Sequence, residues 1–418
     1  MKQKLVIVGN GMAAGRLLDE MIKRDISAFD VTVIGDEPEG SYNRIMLSPV
    51  LAGQTAVDDI IGKPAHWYGA NNIHFLPGVR VTRIERGEKT VLTDQHQNIP
   101  YDHLILAVGS RPARIPAENQ ELASVFSFRT LADVDRILAS SAAALSNAQA
   151  TDTDALVIGA GLLGLEAAYG LAVKGLRVTV VHRSHWLLNR QLDEQAGQLL
   201  QKVLASHNIE FRLGDEVTRF DGDDTVTGAQ FKNSNAITCK LVVIATGITP
   251  NAELGLEADL AGKRGVEVDA LMATSDPHIS AVGECTEFEG ATFGLVDPIW
   301  QHCVTLASRL CQNQNRPYVN TPTPTKLKVS GVNLFSAGEF MTQDHHRELV
   351  YADLDAGIYR KILLQDDVIV GVVLFGDTRD GQDYFTLLSE RQNVADIVPL
   401  LLMGRAFYAS DNKESEAA

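Results

Sequence analysis

The chain has 418 residues, with 37 Lys and Arg against 53 Asp and Glu and a formal net charge of −16. At ~100–200 residues per domain it holds two or three domains, and the acidic balance argues against nucleic acid and membrane as partners, since both ask for basic surface. Cys239, Cys285, Cys303 and Cys311 show no CxxC or CxC spacing, which argues against a disulfide framework, an iron–sulfur site and a zinc ribbon. Scattered thiols fit a reducing cytoplasm. No apolar run nears ~18 residues, so no membrane span is expected. The 11 histidines lack HxxxH or HExxH spacing, so no metal is expected.

Leu5, Val6, Ile7 and Val8 form the short apolar run of a buried parallel strand. It breaks into Gly9, Asn10, Gly11, Met12, Ala13 and Ala14. An amphipathic helical pattern follows through Leu17, Leu18, Met21 and Ile22. Gly9 permits the tight turn, Gly11 lets backbone approach a pyrophosphate, and Ala14 lets the helix pack near the strand. The helix N-terminus offers N–H groups to phosphates. One such pattern alone also fits a βα turn with no ligand. The second strand, 31–35, ends in Asp36 and Glu37, where a ribose-binding carboxylate belongs. Residues 41–49 are non-periodic, with Arg44 a candidate phosphate partner. Short strands over 75–107 stop abruptly at Gly109 and Pro112.

The opening pattern then recurs. Leu156, Val157 and Ile158 run into Gly159, Ala160, Gly161, Leu162, Leu163 and Gly164. The next strand, 177–181, is followed by His182 and Arg183. A surface helix carries Leu192, Ala196, Leu199, Leu200, Val203 and Leu204 on one face. Strand 241–244 leads to Gly247 and Pro250, the same ending as before. A further strand, 279–282, ends in Gly283 and Glu284. Residues 320–325 are a polar, proline-bearing linker. Beyond it, 326–376 alternate short strands and turns, with His345 and His346 read as a solvated loop. Residues 382–402 read as helical and 410–418 as a frayed tail. Two glycine fingerprints in one chain suggest two dinucleotides and a hydride relay between them.

Residues 9–13, Tyr42, Asn43 and Arg44 with 47–49, the second fingerprint ending in Leu165 and Glu166, 245–247, and 281–285 together resemble the FAD-dependent pyridine-nucleotide reductases. The resemblance runs from residue 4 to about 405. It is narrowest to the FAD module of NAD(P)H assimilatory nitrite reductase large subunits and to the electron-transfer subunits of assimilatory nitrate reductases, through 43–53 and 326–338. It implies an α/β fold: two Rossmann-like dinucleotide-binding domains, for FAD over 1–115 and 248–320 and for NAD(P)H over 116–247, plus a small C-terminal α+β interface domain over 321–418.

By that resemblance FAD lies on Gly9, Gly11 and Ala14, with Met12 and Ala13 between them. Glu37 takes the adenosine ribose, Arg44 and Ser48 lie along pyrophosphate and flavin, Gly109 lines the ring, and Glu284 bonds the ribityl chain. Val81, Ala107, Arg129, Gly247, Gly283, Pro298 and Ile299 complete the set. A helix starting over 298–302 would aim its N-terminus at the flavin N1–C2=O edge and stabilise negative charge there. The nicotinamide nucleotide lies on Gly159, Gly161, Leu163 and Gly164, beside His182 and Arg183, with Glu166 near nicotinamide and flavin. Pro49 stands where many relatives carry lysine, so Glu166 is expected to lack that ion-pair partner. Glu166 and Pro49 are therefore the catalytic candidates.

Both NADH and NADPH stay open. Gly164 leans slightly to NADH, whereas Arg183, with no acid beside it, suits a 2′-phosphate; its plainer reading is an exposed arginine at a strand end. Without CxxC no dithiol relay is expected. The implied protein is a cytoplasmic reductase. Its electron acceptor would be a nitrate reductase catalytic subunit, a nitrite reductase partner, rubredoxin or ferredoxin, and a homodimer is compatible. A rival of another class is an FAD-binding redox sensor or interaction protein.

Overall fold

The structure is a computed structural model that describes residues 2–147, 150–329 and 331–408; Ser330 and the tail at 410–418 lie outside the described residues. The chain divides into two units. One comprises Met1–Ala113, Arg129–Leu131 and Gly247–Thr321, and the other Arg114–Phe128, Ala132–Thr246 and Pro322–Ala418.

In the first unit a five-stranded sheet runs Ile279–Ala281, His103–Leu106, Gln3–Val8, Phe29–Gly35, Ile73–Pro77, with every neighbouring pair parallel. Gln3–Val8 is central. Its four apolar residues are buried on both faces, which is why they read as a continuous run and not an alternation. Helix Met12–Lys23 buries Ala14, Leu17, Leu18 and Met21, the i, i+3, i+4, i+7 stripe of a helix lying on a sheet. Helix Val296–Gln312 packs against it: Cys303 Sγ donates to Ala13 O at 3.3 Å. Parallel strands end along one edge. Gly9, Gly35, Ala107 and Gly283 therefore share the carboxyl end of the sheet, where ligands of such folds bind.

The second unit repeats this plan. Its parallel sheet runs Val125–Ser127, Leu241–Ile244, Ala155–Ile158, Val178–His182, Ile209–Leu213. It also holds an antiparallel sheet in the order Thr325–Val329, Val332–Gly338, Val368–Phe375, Ile358–Gln365, Arg347–Asp353. Helix Gly381–Ser389 and the 3-10 segment Ala395–Met403 add Tyr384, Leu388, Val398 and Leu401 to the core of that sheet. The helix expected over 382–402 is thus broken in two. Arg391 takes a left-handed φ of 52°, and Pro399 has no N–H to give an α-helix.

One buried carboxylate ties the two sheets of this unit. Asp193 caps helix Glu194–Ala205, its Oδ1 accepting from Ala196 N–H at 3.1 Å. Its Oδ2 accepts from Tyr359 Oη at 2.6 Å and from Lys361 Nζ at 2.9 Å. Beside that carboxylate, burial drives the Tyr359 phenol far above its ordinary range. Among the described residues, no helix is long and apolar enough to cross a membrane.

Candidate functional site

The first fingerprint loop is shaped by what a side chain would strike. Gly9 has φ +100°, and a Cβ on it would lie 2.2 Å from Ala107 O. Above Gly11, by contrast, the nearest atom to such a Cβ is Arg44 Nε at 4.0 Å. The helix starting at Met12 has Gly11 as its N-cap, no side-chain cap and no acid in its first turn, so its leading N–H groups face that space. Ala14 is fully buried, so the methyl in place of a third glycine fits. A brace stands behind the loop, and residue patterns gave no sign of it. Tyr68 Oη accepts from Ser41 N–H (3.2 Å) and donates to Asn10 Oδ1 (2.8 Å), while Ser41 Oγ donates to Gly11 O (3.1 Å). Tyr68 is held by a stack on Phe75 with ring centroids 4.3 Å apart.

Four of the expected residues form one chain of charge in the first unit. The Glu37 carboxylate pairs with the Arg44 guanidinium and accepts from Tyr42 Oη at 2.6 Å. Arg44 Nη1 donates to Tyr42 Oη at 2.6 Å and to Arg129 O at 3.0 Å. Arg129 in turn pairs with Glu284, and Ser110 Oγ joins both, accepting from Arg129 (2.9 Å) and donating to Glu284 (2.7 Å). Burial opposes the Arg44 charge, but the Tyr42 and Glu37 oxygens outweigh it and raise its pKa. Burial lifts the Tyr42 phenol well above its usual range, so it stays a donor. Asp36, the other ribose candidate, lies out at 3.5 Å from Arg80.

The remaining residues of this unit surround the same sheet edge or its flanks. Gly109 has φ +65° and open space about it, and its carbonyl accepts from Asn251 N–H at 3.0 Å. Gly247 O accepts from Ala113 N–H at 2.9 Å. Gly283 has φ +94°, with Ala13 Cβ 3.0 Å from where a side chain would start. Ser48 is buried and Pro49 half-buried in the first turn of helix Leu47–Ala52, where proline costs no hydrogen bond. Val81 is buried at the start of strand Val81–Glu85, two residues past Val79, whose N–H donates to Gly35 O. Helix Val296–Gln312 starts two residues before the expected Pro298, with Pro298 and Ile299 buried in its first turn.

The second fingerprint repeats the first. Gly159 has φ +109° and a Cβ would lie 2.4 Å from Ala245 O; around Gly161 nothing lies within 4 Å. Gly161 N-caps helix Leu162–Val173, on which Leu163 and Glu166 are half-buried and Gly164 buried. Glu166 is not without an interaction partner. His182 ends its strand with Nδ1 accepting from Ala160 N–H at 3.3 Å and Nε2 3.0 Å from Asn189 Oδ1. Those partners fix a neutral ring protonated on Nε2. Burial lowers its pKa, the Asn189 bond opposes this, and the nearby Arg183 and Arg190 lower it further. Imidazole thus stands where a ribose carboxylate was the alternative, and two exposed guanidinium groups flank it.

The thiols are poorly suited to exchange chemistry, because burial pushes Cys285 and Cys311 up to about 11 and Cys239 up to about 12. No group of three or more His, Cys, Asp or Glu among the described residues could hold a metal. Two open cradles over glycine N–H groups, with arginines beside one and at the strand end of the other, fit two adenine dinucleotides.

Comparison with known proteins gives the following. A family profile described as "Pyridine nucleotide-disulphide oxidoreductase" matches residues 3–307, and one described as "Rubredoxin NAD+ reductase C-terminal domain" matches 324–392. The chain is 41% identical over 395 residues to nitrite reductase [NAD(P)H] of Bacillus subtilis (strain 168), covering 94% of this chain and 48% of that protein. It is 37% identical over 394 residues to the assimilatory nitrate reductase electron transfer subunit of the same organism, covering 94% and 50%. The chain thus spans about half the length of the curated relatives it matches. Among solved structures, NADH:rubredoxin oxidoreductase from Clostridium acetobutylicum superposes with a TM-score of 0.77 at 23% identity, covering 95% of this chain and 98% of that one.

Proposed function

The chain belongs to the pyridine nucleotide-disulphide oxidoreductase family of FAD-dependent NAD(P)H oxidoreductases, and on that premise we propose that it passes electrons from NAD(P)H through FAD to a separate protein acceptor. The observation that carries the reading is the pair of glycine cradles, one in each unit, each walled by a glycine that admits no side chain and open above the next. Bound FAD supplies an acceptor for a hydride that can then release electrons singly.

The chain's own residues bind and orient. N–H groups of Gly11, Met12 and Ala13 at one helix start, and of Gly161 and Leu163 at the other, face the phosphates. Arg44 and Arg129 bring positive charge to the first cradle, while Glu37 and Glu284 accept from sugar hydroxyls. Val81 lies on the adenosine side, near the strand end that carries Glu37, and Ala107, Gly109, Gly247, Gly283, Pro298 and Ile299 line the flavin side together with Ser48. Glu166 positions the nicotinamide, and Pro49 stiffens the turn that faces the flavin. No side chain need act as acid or base, since positioning carries hydride transfer. Raised thiol pKa values support electrons leaving without a dithiol relay.

The names of the Bacillus relatives support a role in nitrate or nitrite assimilation, with a nitrate reductase catalytic subunit or a nitrite-reducing partner as acceptor. The C-terminal match over 324–392 supports rubredoxin as the acceptor in a second reading, with ferredoxin as its alternative. Anaerobic NADH or NADPH should bleach the yellow protein promptly, and one candidate acceptor should then reoxidise it faster than a dye does. A bound flavin that stays oxidised with both nucleotides would instead support a sensor or interaction protein.

A further inference from the structure

The antiparallel sheet of the second unit ends on Arg347–Asp353. All seven residues pair with Ile358–Gln365 in unbroken register, Arg347 opposite Leu364 through Asp353 opposite Ile358. Natural edge strands are blunted by charged side chains, lysine above all, by proline, by a bulge or by short length. The other edge of this sheet, Thr325–Val329, carries Lys326 and Lys328. Arg347–Asp353 has no proline or bulge and keeps its charges at its ends, Arg347 and Glu348 at one and Asp353 at the other, while its middle, Leu349, Val350, Tyr351 and Ala352, is uncharged. Val350 is 40% exposed, Tyr351 47%, and Leu354 just beyond the strand 50%. Successive side chains point to opposite faces, so both faces of this edge show apolar surface next to backbone donors and acceptors that have no strand partner among the described residues.

We propose that this edge pairs antiparallel with the same strand of a second copy of the chain, about a two-fold axis at Val350. The occupant is indicated by the strand itself, which is complementary to its own reverse. With Val350 opposite Val350 of the second copy, Leu349 faces Tyr351, Glu348 faces Ala352, and Arg347 faces Asp353, twice over by symmetry. Antiparallel partners share a face, so the axis must fall at a residue. An axis at Leu349 would set Arg347 against Tyr351 and Glu348 against Val350. An axis at Tyr351 would set Leu349 against Asp353. Only the Val350 register puts both charged ends on opposite charge and keeps the apolar middle together. Cross-strand pairs of opposite charge stabilise a sheet and like charges oppose it. The two five-stranded sheets would then run on as one.

The test is sedimentation velocity of the purified, cofactor-loaded chain from about 1 to about 100 μM, where a modest contact populates. The wild type should move from 45.4 kDa toward twice that mass as concentration rises. Arg347→Asp turns both ion pairs repulsive and should weaken association about thirtyfold, with cofactor content and thermal midpoint unchanged at low concentration. Adding Asp353→Arg should restore association. That change also removes the acceptor of Ala356 N–H, a turn bond that single copies and pairs lose alike. If Arg347→Asp fails to fold, Val350→Lys, which sets two like charges on the axis, should likewise give single copies. A chain that stays at 45.4 kDa throughout overturns the proposal, whether the edge is then solvated or kept for a different protein. So does a dimer indifferent to the charge exchange.

Discussion

Gly159 and Gly161 are two residues apart, yet alanine should act on them in opposite ways. At Gly159, φ is +109° and a Cβ would lie 2.4 Å from Ala245 O. The left-handed backbone costs an alanine about 1–2 kcal/mol, and the forced contact adds about 1–3 kcal/mol. Gly159→Ala should therefore lose about 2–5 kcal/mol of folding free energy. At Gly161, φ is −78° and no atom lies within 4 Å. Alanine is unstrained there and restricts the unfolded chain, a gain of about 0.4–1 kcal/mol. Its methyl, however, enters the space through which backbone must approach a pyrophosphate. A clash of about 1–3 kcal/mol corresponds to a roughly five- to 150-fold rise in Kd. Urea unfolding of the nucleotide-free protein and calorimetric titration with NADH and NADPH separate the two effects. The expected outcome is a Gly161→Ala protein at least as stable as wild type that binds both nucleotides weakly. If it binds as tightly as wild type, the cradle is not where the nucleotide sits; if it unfolds as early as Gly159→Ala, the space around Gly161 is not open.

Asp193→Ala should cost about 3–5 kcal/mol in urea unfolding, because it strands buried Lys361 and Tyr359 and removes a helix cap; a loss below about 1 kcal/mol would mean the pair is solvated. His302 is buried and His103 half-buried, and desolvation holds both down to about 4. An unfolded histidine titrates near 6.5, so below that value the unfolded chain binds more protons and stability falls with pH, by about 2 kcal/mol for each between pH 7 and 5. His302→Phe should remove its share of that loss, and an unchanged slope of unfolding free energy against pH would rule the assignment out. Arg183→Glu should raise the KM for NADPH more than for NADH; equal changes would end the case for a 2′-phosphate contact.

Both parallel sheets were legible because a strand buried on two faces needs four consecutive apolar residues, and each then broke into glycines whose roles are local. Glu37 and Glu284 were legible for the same reason, as acids at strand ends. What the chain order hid is choice of partner across long separations. Ser110 bridges Glu284 and Arg129, and Tyr68 reaches Asn10; neither residue stands in a pattern that marks it. His182 was expected beside the nicotinamide nucleotide, and the pattern held no sign that its Nδ1 accepts from the backbone N–H of Ala160. The His346 side chain, read as solvated, is fully buried, with Nδ1 accepting from Gln343 N–H at 3.2 Å. The break after Ser389 rests on one left-handed residue, Arg391, a conformation that side-chain periodicity does not encode.

The carboxylate of Asp193 also limits how this protein can be recombined. The linker at 320–325 looks like a natural place to cut and graft a different tail. Yet Asp193, which caps helix Glu194–Ala205 through Oδ1, accepts through Oδ2 from Tyr359 and Lys361, on the far side of that cut. A chimera that exchanges the C-terminal sheet must import a phenol and an amine at matching registers, or replace all three residues together with apolar ones. Crossover points that respect this trio should yield soluble hybrids, and those that split it should fail in expression before any question of electron transfer arises.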